Sequence, residues 1–174
     1  MITPAQVMAA LAAVYDPELD EPITTLGFVG SCVVDAEGDV EVRLRLPTPQ
    51  CAPNFAFLMA SDARRAVLRL PGAGEVGVIL DDHYTGDEIN AAVGRGAGFD
   101  GAFPGESTGD LEALRELFRR KALLARQGRV CAELLAGGAD AEAVTAMLVA
   151  DLQPGPEVAR CLQLRRELGL PAGP

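Results

Sequence analysis

Cys51 stands in the segment Pro47-Thr48-Pro49-Gln50-Cys51-Ala52-Pro53, between an alternating, strand-like stretch and a helical pattern. A thiol at such a corner faces the exposed amides of a helix start, which favour the thiolate, the form that attacks electrophiles and binds soft metals. The competing reading is a small buried hydrophobe, the usual fate of a free cysteine. Asp16 and Glu18 flank Pro17, which stiffens their loop. That pair can bind a cation, accept hydrogen bonds from amides near Cys51, or cap a solvated turn. Thr48 has a similar choice: its hydroxyl can orient a ligand beside the thiol or satisfy an amide of its own turn. His83 is the only histidine; no local spacing pairs it with a cysteine, and it reads as a polar loop residue.

The remaining cysteines lack such a setting. Cys32 falls in a strand pattern, and Cys131 and Cys161 fall on apolar faces of helical patterns, so all three are expected in a core. The four are widely spaced and form no CxxC pair, which predicts reduced thiols and argues against a closed structural zinc site. Gly101 to Thr108 is one residue too short between glycines for a P-loop, and Glu106 stands where the phosphate-binding lysine belongs.

The elements that must hold Cys51 follow from patterning. Thr3, Pro4 and Gln6 form the start of a helix carrying Val7, Met8, Leu11 and Val14, which Asp16-Pro17 is expected to end. Gly27 to Val34 is strand-like, Asp35 to Asp39 is a turn, and Val40 to Leu46 alternates strictly, so the two stretches form a hairpin. Pro53 opens a helix carrying Phe55, Leu58, Met59, Ala63, Ala66, Val67 and Leu70. After Pro71-Gly72-Ala73-Gly74, residues Val76, Val78 and Leu80 mark a third strand. A helical crossover between the second and third strands favours placing them parallel. The expected class is therefore α/β (α+β): a small mixed three-stranded sheet covered by two helices, in the order helix-strand-strand-helix-strand.

Thr85 with Glu88 reads as a capping box for a short helix to Val93, followed by five glycines up to Gly105. The expected domains are 1–93, a glycine-rich linker 94–105, and an all-α C-terminal extension 106–174. In that extension a helix starts at Ser107 with Asp110 three residues on, and Gly128, Gly137-Gly138 and Pro154-Gly155-Pro156 divide the remainder.

The chain has 174 residues and a net charge of 15 − 25 = −10. That balance argues against nucleic acid or an anionic membrane as partner. The charge is concentrated in residues 1–105, with 6 basic and 15 acidic side chains, against 9 and 10 in 106–174. The cluster Arg119-Arg120-Lys121 with Arg126 and Arg129 is expected to dock on the acidic first part or to be plainly solvated. No run is long and apolar enough to cross a bilayer. The start Met-Ile-Thr-Pro lacks the regions of a signal peptide, so a cytoplasmic location is expected.

Several motifs in order resemble one family. Tyr15-Asp16-Pro17-Glu18-Leu19, Leu26-Gly27-Phe28-Val29, Leu46 to Pro53, Leu70-Pro71-Gly72 and Glu75-Val76-Gly77-Val78 are similar to the iron-sulfur cluster assembly domain once catalogued as domain of unknown function 59. SufT-type, PaaD-type and MIP-18-type proteins share it, and the likeness covers about the first 90 residues. The resemblance implies a small α/β sandwich in which Asp16, Glu18, Thr48 and Cys51 share a surface pocket, with Cys51 as its key thiol. It implies a non-enzymatic maturation factor for iron-sulfur or other iron-containing proteins, with no permanent cofactor but a transient iron-sulfur cluster or iron held by Cys51. One cysteine cannot complete a ligand set, so a homodimer, a client cysteine or a small thiol would have to contribute.

Implied partners are client apo-proteins, other assembly factors and a P-loop ATPase in trans; residues 106–174 lie outside the resemblance and are expected to be a client-docking appendage. Two other readings stand beside this one: a thiol-dependent enzyme using Cys51 with Asp16 or Glu18 as acid or base, and a protein-binding assembly chaperone for a multicomponent oxygenase. The chain departs from the family after the third strand, where members often carry proline-proline-tryptophan and this sequence has Asp81-Asp82-His83-Tyr84. It also lacks the cysteine-rich tail of PaaD-type proteins.

Overall fold

In the computed structural model, which describes residues 2–105 and 111–171, α1 (Pro4–Leu11) opens as its sequence requires. The Thr3 hydroxyl accepts from the Gln6 amide at 3.3 Å, and the Gln6 side chain accepts from the Thr3 amide at 3.0 Å. Thr3→Ala is expected to cost about 1 kcal/mol through loss of this reciprocal cap, read as a lower urea midpoint at unchanged slope. The helix ends at Leu11, short of the expected stop at Asp16-Pro17. Tyr15 instead pairs with Pro22 in an isolated antiparallel bridge, and Asp16 donates its amide to the Glu21 carbonyl, so the backbone there serves a hairpin-like loop.

The sheet has the order β1 (Val29–Val34), β2 (Val40–Arg45), β3 (Val76–Asp81), with β1 antiparallel and β3 parallel to the central β2. Strand β1 starts two residues later than expected because Gly27 has φ +73°, outside the β region. In the hairpin turn Gly38 has φ +92°, and a Cβ there would meet the Gly72 carbonyl at 2.7 Å; glycine is required on both counts. Alternation divides the faces. Val40, Val42, Leu44, Val76, Val78 and Leu80 are buried, while Glu41 and Arg45 stay exposed. Cys32 lies opposite Val42 and is half-buried against the same core, as its strand position predicts. Burial pushes its thiol pKa up.

The buried face is covered by α1, by α2 (Pro53–Leu68), which turns Ala56, Met59, Ala60, Ala63 and Val67 inward, and by α3 (Gly86–Gly94), which contributes Ile89, Ala92 and Val93. β3 is an edge strand, and side chains satisfy part of its outer backbone. The Asn90 amide accepts from the Leu80 N–H at 2.7 Å and donates to the Leu80 carbonyl at 3.2 Å; Arg64 Nε donates to the Val76 carbonyl at 3.1 Å. The expected Thr85 side-chain cap on α3 is absent, because that hydroxyl lies beside His83 instead. The glycine-rich stretch that follows carries α4 (Phe99–Ala102). Phe99 meets Phe57 edge-on at 5.5 Å and packs against Phe103 at 4.9 Å.

The chain divides into two compact units, Met1–Glu112 and Ala113–Pro174. The helix start expected at Ser107 and Asp110, and Glu106, lie outside the described residues. The second unit is helical: α5 (Glu112–Ala136), α6 (Ala141–Ala146), a 3₁₀ turn Val149–Asp151 and α7 (Pro156–Glu167). α5 runs through Gly128 rather than breaking there. Ala122, Leu123, Cys161 and Leu164 form its core. Cys131, expected in a core, is exposed. Several α5 arginines have carboxylate partners within the second unit. Arg126 and Arg129 both pair with Glu157, at 2.8 and 3.0 Å, Arg119 pairs with Glu167 and Arg120 with Glu116.

Candidate functional site

Strand polarity brings the loops that carry Thr48, Cys51 and His83 to one edge of the sheet. β2 and β3 are parallel, so their C-terminal ends lie together, and antiparallel β1 begins at that edge. The loop from Leu46 to Ala52 leaves β2 there, and Asp82 to Thr85 leave β3. The segment before β1 arrives there too, with the Phe28 carbonyl accepting from the Arg45 amide at 2.8 Å. Ends of parallel strands are the usual place for a ligand site in α/β sheets, since loops converge there without having to pack.

Cys51 sits immediately before Ala52, the N-cap of α2, which offers no side-chain cap, and within the first turn the Asn54 side chain accepts from the Phe55 amide at 2.9 Å. Pro53 sets the first-turn φ and has no amide to donate. The thiol is half-buried against the core edge, with Sγ 3.8 Å from the Thr48 hydroxyl. Thr48 satisfies an amide of its own turn, as one of its two sequence readings allowed: its hydroxyl also accepts from the Gln50 amide at 3.2 Å. Cys51 donates its own amide to the Thr48 carbonyl at 3.4 Å, closing a tight turn that presents the thiol.

Asp16 is buried, at 9% exposure, and its carboxylate accepts from the amides of Glu18 at 2.9 Å and Leu19 at 2.8 Å. It caps its own turn, which Asp20 completes in a left-handed conformation at φ +50° while donating its amide to the Asp16 carbonyl. That turn holds the Glu18 side chain exposed. The structure thus joins Thr48 to Cys51 and Asp16 to Glu18. Among the described residues no hydrogen bond links one pair to the other.

His83 was missed as a member of this site. Its Nε2 lies 2.8 Å from the Cys51 carbonyl oxygen, and the next residue, Tyr84, donates its amide to the Pro49 carbonyl at 3.2 Å. The two loops are laced together by their backbones. Only the parallel pairing of β2 and β3 brings residues so far apart in sequence together, and that pairing was the one available signal.

Comparison with known proteins adds a second line. A family model described as iron-sulfur cluster assembly protein matches residues 4–78, a span that includes Asp16, Glu18, Thr48 and Cys51 and ends before His83. An uncharacterized protein of Methanocaldococcus jannaschii is 34% identical over 90 residues, 52% of this chain and 93% of that protein. Iron-sulfur cluster carrier proteins of Mycobacterium leprae and Mycobacterium tuberculosis are 36% and 38% identical over 75 and 77 residues. Those matches cover 43% and 44% of this chain but only 19% and 20% of the carriers, so the shared part is about a fifth of their length. A crystal structure of domain of unknown function 59 from Bacillus anthracis aligns at 26% identity with a TM-score of 0.41, covering 44% of this chain and 72% of that one.

Proposed function

As this chain belongs to the iron-sulfur cluster assembly protein family, we propose that it delivers an iron-sulfur cluster, or iron, to client apo-proteins without turning over a substrate of its own. The observation that carries this reading is the setting of Cys51, a half-buried thiol beside Thr48 at the start of α2, on an edge where three loops meet. Such a thiol is accessible enough to bind and to let go. Asp16 and Glu18 are proposed to frame the same site, Asp16 by shaping its loop and Glu18 by presenting an exposed carboxylate.

Among the described residues no three His, Cys, Asp or Glu side chains gather closely enough to hold a metal ion. Cys51 therefore supplies one ligand of a set completed by a second copy of the chain, a client cysteine or a small thiol. Delivery is then ligand exchange. An incoming client thiol gives up its proton and binds iron, the outgoing Cys51 thiolate is free to take a proton, and no electron is transferred.

The helical unit is proposed to select the client. Between α5, α6 and α7 lies a hollow of about 510 Å³ lined by Val130, Leu134, Met147, Leu152 and Leu162, with Leu148 exposed at its side. An apolar hollow of this kind suits an apolar client segment. A P-loop ATPase acting in trans and other assembly factors belong to the same proposal. No described helix is long and apolar enough to cross a membrane.

The protein loaded anaerobically with iron and sulfide, then mixed with an apo-ferredoxin, is expected to lose its cluster absorbance as the ferredoxin spectrum grows. A ferredoxin that stays apo while this protein keeps its cluster would contradict the delivery role.

A further inference from the structure

We propose that His83 is a positioning residue that fixes where the Cys51 thiol sits, acting through the Cys51 backbone; the importance of that position rests on the role proposed for Cys51. The chain reaches His83 by a forced route. After β3, Asp82 takes a left-handed conformation at φ +53°, uncommon for a residue other than glycine, and its carboxylate pairs with Arg45 at the end of β2. This turn sends His83 back over the loop that leaves β2.

The ring's protonation pattern follows from its partners. The Thr85 backbone N–H can only donate, and it points at Nδ1 over 3.3 Å, so Nδ1 carries the lone pair. Nε2 then carries the hydrogen and donates it to the Cys51 carbonyl at 2.8 Å. The Thr85 hydroxyl lies 3.1 Å from Nδ1, and Thr85 makes no side-chain cap to α3 despite standing at its N-cap position. A residue that could stabilise its own helix is instead spent orienting the imidazole. Tyr84 adds its amide hydrogen bond to the Pro49 carbonyl and a ring tilted 33° to the imidazole at 5.0 Å.

Cys51 is thus held through both of its backbone groups, its amide by Thr48 and its carbonyl by His83. Both ring nitrogens are engaged, so in this arrangement His83 serves neither as base nor as metal ligand. Its contribution is to restrict the thiol to one place at the helix start.

The test needs no iron. Because the chain has a single histidine, ¹⁵N-histidine NMR of the wild-type protein at neutral pH reads His83 alone. The Nε2–H tautomer is expected, with slow solvent exchange; a dominant Nδ1–H tautomer would overturn the assignment. Alkylation by iodoacetamide, followed by mass spectrometry at Cys51 and at exposed Cys131, then compares variants. His83→Gln keeps a donor near the Nε2 position, whereas His83→Asn keeps only an acceptor near Nδ1.

His83→Asn is expected to speed Cys51 alkylation about threefold to tenfold, the range set by one net hydrogen bond, while His83→Gln stays within about twofold of wild type. Cys131 should react alike in all three. Equal Cys51 rates in all three proteins would overturn the proposal. If Cys51 binds no cluster, these rates and the tautomer still stand or fall on their own, so the two ideas can fail separately.

Discussion

Leu44→Ala is expected to lower the stability of the first unit by about 2–5 kcal/mol. Leu44 is 1% exposed on the central strand, opposite Val29 on one side and Leu80 on the other, with the covering helices above it. Its side chain belongs to the buried core cluster, so truncation removes both the transfer free energy of the lost carbons and the dispersion contacts of the atoms that lined them. A central strand clamped by hydrogen bonds on both edges cannot shift to fill the space. The measurement is urea denaturation, with a lower midpoint at unchanged slope. A loss below about 1 kcal/mol would mean that the core closes around the smaller side chain, against the packing described. The effect is expected to reach the proposed site, because the Cys51 loop leaves the end of this strand.

What was legible in the sequence was what depends on near neighbours. The Thr3 capping box and the strict alternation of β2 are written within a few residues, and both are present as read. The parallel pairing of β2 and β3 followed from a general rule about crossovers and needed no knowledge of side chains. Where distant partners compete for the same groups, local reading ran out. The end of α1 is decided by the Tyr15 and Pro22 bridge, and Thr85 is diverted from capping by His83. The Arg126 bond to Glu157 spans 31 residues, beyond the reach of local spacing.

The site divides along the same line. Asp16 with Glu18 and Thr48 with Cys51 lie two and three residues apart, and their hydrogen bonds were within reach of sequence reasoning. His83 lies 32 residues from Cys51, and its ring meets a backbone carbonyl rather than a side chain. No motif records a contact of that kind.

The second large effect concerns Cys51 itself. A thiolate is a soft, polarizable ligand that forms at accessible pH, whereas a serine hydroxyl keeps its proton and binds iron poorly. Serine differs from cysteine by one atom, so Cys51→Ser leaves the Thr48 and His83 ties to the loop backbone in place. The other three cysteines belong to other elements: Cys32 to β1, Cys131 to α5 and Cys161 to α7.

The most direct measurement is therefore anaerobic reconstitution with iron, sulfide and a small thiol, followed by visible absorption and iron counting on wild type and Cys51→Ser side by side. Wild type is expected to retain a sulfide-to-iron charge-transfer band, and the variant to retain about a tenth of it or less. Equal iron and equal absorbance in the two proteins would contradict the assignment of Cys51 as the ligand.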